Sequence, residues 1–368
     1  MDNPLLRAWS GPFRLPPFEA IEPAHFREAF ETAFAEHNAE IDSIANDPSS
    51  PTFDNVIGAL ERGGRLLTDV GAVFWNVAAS DTTPDLQEIE RDMAGAFSRH
   101  SSDISMNPAL FRRIEALYET RGTMDLTAEQ RRILELTYKN FVRAGAKLND
   151  ADKARLKAIL ERLAGLSTQF SQNVLADESS WLLLLDECDL DGLSPDFRAA
   201  AARIAAERGS PGKYGVTLSR SSAEVFLQSS TRRDLRETVF RAWASRGENA
   251  GATDNRPLIR EILQLREERA KLLGFESFAA FKLDDTMAKT PAAVRELIDH
   301  VWAPALTRAA EERAQIQAMA EEEGANFTVA AHDWRYYAER VRAKRYDLDQ
   351  AALRPYFQLD NMIAAAFD

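Results

Sequence analysis

The chain has 368 residues, 45% of them hydrophobic, a single cysteine and a net charge of −13 at neutral pH. That length and apolar content suit two or three folded domains with a sizeable core and exclude disorder throughout. The acidic balance argues against a nucleic-acid partner, Cys188 alone cannot build an intrachain disulfide framework, and no run of about 18 apolar residues suggests a membrane span.

The chain opens on MDNPLLRAWSGPFRLPPF, which lacks a basic region followed by an apolar run, so cytoplasm is the expected compartment. Pro4, Pro12, Pro16 and Pro17 prevent a regular helix there, and Leu5, Trp9 and Phe13 suit an arm laid on the body of the protein. From His25 to about Ile44, Phe26, Ala29, Phe30, Ala33, Phe34 and Ile41 recur at steps of three and four, the stripe of an amphipathic helix. After a turn cluster at Asn46–Pro51, Phe53, Val56, Ile57, Leu60, Leu67, Val70 and Phe74 predict a long helix flexed at Gly63–Gly64. Thr83–Pro84 starts another helix, and Asn107–Pro108 a third. Thr127 and Gln130 form a capping box, and Asn149 caps a long helix carrying Leu156, Leu160, Leu163, Phe170 and Val174.

The helical pattern breaks at Trp181–Leu185, a short apolar run that reads as a buried strand. The cluster Arg208-Gly-Ser-Pro-Gly-Lys213 lacks the glycine cradle and following serine or threonine of a phosphate loop and reads as a turn. Val216–Leu218 and Val225–Leu227, joined by Ser219–Ser222, predict a β-hairpin. Thr231 then caps a helix ended by Gly247, Pro257 starts one closed by Gly274, and Thr290–Pro291 opens a helix running to about Glu323. Its acidic end, Glu321–Glu323, opposes the helix dipole and calls for a compensating charge. Finally, Asp333 reads as the cap of a helix over about Trp334–Lys344, Asp349 as a second cap, Pro355 as an interruption and Asp360 as the cap of a short last helix. The fold class is mainly α, a multi-helix lobe with a small β-hairpin.

Catalytic motifs are sparse. The five histidines, His25, His37, His100, His300 and His332, include no pair three or four apart, so no helix offers a zinc-ligand pair. His25 and His37 read as surface or capping residues, and His332 as a surface imidazole beside a helix cap. Cys188, among Asp186, Glu187, Asp189 and Asp191, is electrostatically unsuited to be a nucleophile and reads as structural. Asp284 and Asp285 read as surface acids rather than an acid/base pair. No catalytic or metal-ligating residue is assigned, and no substrate-binding residue is identified.

A longer string carries more. Asp333-Trp with Tyr336-Tyr337, Tyr346-x-Leu-Asp and Pro355-Tyr-Phe-x-Leu-Asp360 resembles the thimet oligopeptidase and peptidyl-dipeptidase family of zinc metallopeptidases, in its bacterial peptidyl-dipeptidase branch. Ala242–Gly247, Asn255–Arg266 and Ala270–Ser277 resemble the same family in the same order.

The resemblance implies a helical, two-lobed zincin-type oligopeptidase fold with a deep channel, of which this chain is the N-terminal half. Residues 1–213 would form a helical lobe and 214–368 the beginning of the peptidase domain. The family's His-Glu-x-x-His, which holds zinc and places a glutamate beside the bound water, lies downstream of the stretch resembling 333–368. The implied parent uses zinc to release dipeptides from the C-terminus of short peptides. This chain would supply lobe and channel wall, bind no zinc itself, be inactive alone, and have the missing half and short peptides as partners. The alternative is a non-catalytic helical peptide-binding or interaction protein on the same scaffold.

Overall fold

The computed structural model describes residues 3–346 and 353–368. Helices dominate: α1 (Pro23–Ala45), α2 (Ala59–Arg62), α3 (Arg65–Ser80), α4 (Pro84–Ser105), α5 (Pro108–Thr120), α6 (Ala128–Arg143) and α7 (Asp150–Ser180). Strand β1 (Leu183–Leu185), α8 (Pro195–Glu207) and β2 (Tyr214–Val216) follow. The remainder is α9 (Arg220–Ser229), α10 (Arg233–Ala244), α11 (Arg256–Leu272), α12 (Phe278–Leu283), α13 (Pro291–Glu322), α14 (Ala331–Tyr346) and α15 (Leu359–Phe367).

The chain divides into two compact units, Met1–Gln172 with Arg256–Thr290, and Asn173–Asn255 with Pro291–Asp368. In the first, Phe26 and Phe30 of α1 meet Phe74 of α3 edge-on, with ring centroids 5.1 and 5.4 Å apart. Leu5 of the N-terminal arm is buried in that cluster and Trp9 packs against it, whereas Phe13, expected to lie on the body with them, is exposed. A second cluster gathers Ile41, Ile44, Val56, Ile57, Leu110, Ile114 and Leu134. Local signals set the helix starts: Thr83, Asn107 and Asn149 accept first-turn amides, and Thr127 and Gln130 satisfy each other's backbone N–H groups. The helix expected to flex at Gly63–Gly64 is instead interrupted there, and Oε2 of Glu40 takes the freed Gly64 N–H at 2.7 Å.

The second unit holds the β element. Strand β1, expected from the Trp181–Leu185 run, pairs antiparallel with β2 in the register Leu183↔Val216 and Leu185↔Tyr214. Of the first arm expected at Val216–Leu218 only Val216 lies in β2, and the second, Val225–Leu227, lies inside α9. Ala223, Phe226 and Leu227 are all buried, a helical step of three and one that a short apolar run does not distinguish from a strand. Thr231 does not cap α10. Its hydroxyl donates to Oδ2 of Asp191 at 2.8 Å, and the helix begins two residues later.

At the acidic end of α13 the compensating charge comes from α14: Nζ of Lys344 meets Glu322 at 2.6 Å, and Nε of Arg340 stands 3.8 Å from Glu323. Gln358 stands at the N-cap position of the short final helix without a side-chain capping bond, and Asp360, expected there, sits in its first turn, where a carboxylate still favours the dipole. Asp349 lies outside the described residues. Among the described residues no helix is long and apolar enough to cross a membrane.

Candidate functional site

The most highly organised polar cluster surrounds Asp333, in the second unit. Expected as a cap outside its helix, Asp333 is the third residue of α14 and fully buried. Its Oδ2 does accept the N–H of Ala330, just before the helix, at 3.1 Å, so part of the capping role survives. The larger part is ionic. Oδ1 accepts from Nη2 of Arg236 at 3.0 Å and from Nε of Arg233 at 3.1 Å, and Oδ2 accepts from Nη2 of Arg233 at 2.9 Å.

Both arginines are clamped from other directions. Arg236, itself buried, donates through Nη1 to the Ser230 carbonyl at 2.7 Å, and its guanidinium lies 4.2 Å from the Tyr336 ring centre. Arg233 lies 4.1 Å from the ring of Phe327. Planar guanidinium groups suit this combination of forked donation to a carboxylate and stacking on an aromatic face. Burial would raise the Asp333 carboxyl, but hydrogen bonds from Arg233, the Ala330 amide and Arg236 outweigh it and hold the group below the ordinary carboxylate range.

His332 is buried too, not the surface imidazole its neighbours in sequence suggested. Its Nε2 is 3.6 Å from Oδ2 of Asp333, outside hydrogen-bond range, and burial lowers its pKa despite that carboxylate. A carboxylate with four donors around it has little capacity left for a substrate. The cluster's work is to tie α14 to α10.

Other singled-out residues fall elsewhere. In the first unit, Asp284 and Asp285 converge on Arg143 at 2.8 and 3.1 Å instead of pointing apart, and Lys139 reaches Asp284 at 3.1 Å. Hydrogen bonding from Lys139, with the charge of Arg143, holds Asp284 below its usual range, so both acids serve ion pairing rather than dividing acid and base roles. Nδ1 of His25 accepts the Glu22 N–H at 3.0 Å, the capping role expected of it. His37 does not approach His25. It faces His100, with Nε2 of His100 at 2.9 Å from Nδ1 of His37, a pairing the sequence gave no sign of. Cys188 is exposed.

Zinc requires three or four side-chain donors converging on one point. Among the described residues no group of three histidine, cysteine, aspartate or glutamate side chains is placed to hold a metal ion. Near the His37–His100 pair, Glu40 is engaged by the Gly64 amide and Asp103 by Lys157 at 2.6 Å. These donors do not fit a zinc centre.

The sequence pattern of Peptidase family M3 matches residues 226–367, the stretch containing both arginines and Asp333. The dipeptidyl carboxypeptidases of Salmonella typhimurium and Escherichia coli are each 37% identical to this chain over 362 residues, covering 98% of it and 53% of the relative. Oligopeptidase A of Haemophilus influenzae is 30% identical over 373 residues, covering all of this chain and 54% of the relative. The chain therefore spans about half the length of the curated relatives it matches. Identity sustained at that level across almost the whole chain, together with the mainly helical fold, places it: the chain belongs to peptidase family M3, in the branch of the dipeptidyl carboxypeptidases.

Proposed function

We propose that this chain is one portion of a zinc-dependent oligopeptidase that removes C-terminal dipeptides from short peptides in the cytoplasm. The observation that carries the reading is the 37% identity to dipeptidyl carboxypeptidases over 98% of the chain but only 53% of theirs. Residues 1–213 serve as a helical lobe and 214–368 as the beginning of the peptidase domain, together forming wall rather than catalytic centre.

The test is a peptide-cleavage assay with zinc analysis on this chain and on the polypeptide obtained by extending its reading frame. The chain alone is expected to be inert and metal-free. The extended product is expected to release dipeptides from peptides with a free C-terminus and to lose activity to a chelator. Robust, chelator-sensitive turnover by the 368-residue chain would overturn the reading.

A further inference from the structure

The 32-residue helix α13 is packed at one end only. Ile316 and Ala320, near its C-terminus, are buried in a cluster with Tyr336 and Tyr337 of α14. From Arg295 to Gln315 every residue is exposed. That exposed stretch is not polar: Leu297, Ile298, Val301, Trp302 and Leu306 are 50–66% exposed.

The apolar positions continue the buried face. Ile298, Trp302, Ala305, Ala309, Ile316 and Ala320 follow one another at steps of four, three, four, seven and four, which keeps them on one side of an α-helix. Val301 and Leu306 flank this line. One stripe thus begins inside a core cluster and runs uncovered along several turns. An apolar patch of this kind, continuous with a core, has the character of a domain interior divided in two rather than of an ordinary surface.

We propose that the exposed stripe of α13 is a docking face for the part of an M3 peptidase polypeptide that this chain does not span. The inference rests on the reading under Proposed function. Two observations select that occupant over a second copy of the chain: the relatives are about twice as long as the stretch they share with it, and the stripe is an extension of an intramolecular core contact. The partner surface is expected to be an apolar groove or helix face able to receive Trp302 at its centre.

Hydrogen exchange over residues 297–309 tests this, measured on the 368-residue chain and on its frame-extended product. A long helix without tertiary packing is only marginally stable. Exchange there should be fast in the shorter chain and slowed at least roughly 100-fold in the longer one. The variant Trp302→Glu in the longer protein should abolish that protection while α14 stays protected. Fast exchange in both forms, with peptide cleavage by the longer one, would overturn the docking face and leave the peptidase reading standing. Protection without cleavage would support the docking face and remove the peptidase reading. Protection of the shorter chain that rises with its concentration would assign the stripe to a second copy and overturn the proposal, as would a stop codon directly after Asp368.

Discussion

Nη2 of Arg236 donates to Oδ1 of Asp333 at 3.0 Å, and the side chains of the two residues are 2% and 0% exposed. A charge cluster so placed is stabilising only as a complete set: without Asp333 the buried Arg236 faces no carboxylate, and without Arg236 the buried carboxylate keeps only Arg233. Asp333→Ala leaves Arg236 in that position. It should cost the second unit about 3–5 kcal/mol, read by urea unfolding with hydrogen exchange over α10 and α14. Arg308→Ala, which breaks only exposed pairs with Glu311 and Glu312, should change stability by less than about 1 kcal/mol. Equal effects from the two variants would show that the buried cluster is not the tie between α10 and α14.

The same carboxylate sets an acid limit. Its folded pKa lies below the ordinary value, so the unfolded state binds its proton first as pH falls. The stability it contributes is complete above the unfolded value near 4 and is lost as pH drops through the folded one. The stability gap between the protein and its Asp333→Asn variant should therefore be constant from pH 7 to about 5 and narrow below about pH 4. A gap that stayed constant to the end of the acid range would contradict the depressed pKa.

How much of this was legible follows from the distance between partners. Helix starts written within four residues, such as Thr127 with Gln130 and Asn107 with Leu110, could be read from sequence because donor and acceptor lie in one turn. Asp333 obeyed the same local rule in part, through Ala330. Its arginine partners stand 97 and 100 residues away, beyond any periodicity, so a buried ionic centre passed for a surface cap. His37 and His100 met in the same way across 63 residues. The Val225–Leu227 run failed for another reason: three apolar residues fit either period, and burial against β2 and α10 decided for helix.

Gly192 and Gly209 offer a controlled comparison. Both have left-handed backbones, with φ of +82° and +79°. A Cβ on Gly192 would come within 2.2 Å of the Ser229 carbonyl oxygen, whereas one on Gly209 would meet nothing within 4 Å. Gly209→Ala should cost about 1 kcal/mol, the left-handed penalty alone. Gly192→Ala should cost at least roughly 2–3 kcal/mol, since backbone must move as well. Thermal melts of the two variants check the difference, and equal shifts would mean that the loop around Gly192 yields freely.

The imidazoles of His37 and His100 should make the first unit acid-sensitive in a higher range than Asp333 does the second. Burial lowers both pKa values; the charge of each neighbour's acid, Glu40 or Asp103, only partly offsets it, and His37 further lowers His100. A histidine whose folded pKa is lowered binds its proton more readily when unfolded. Its stabilising contribution is therefore complete above about pH 6.5 and shrinks as pH falls through that value. Two rings with nitrogens 2.9 Å apart can share one proton between them, and a second would place like charges in contact. The protection factors of α1 and α4, corrected for the intrinsic pH dependence of amide exchange, should fall between about pH 7 and pH 5, and His100→Gln should flatten that dependence. His332 contributes with the same sign but in the second unit, so the exchange of α1 and α4 separates the two effects. An unchanged pH profile in His100→Gln would show that the pair does not govern the acid response of these helices.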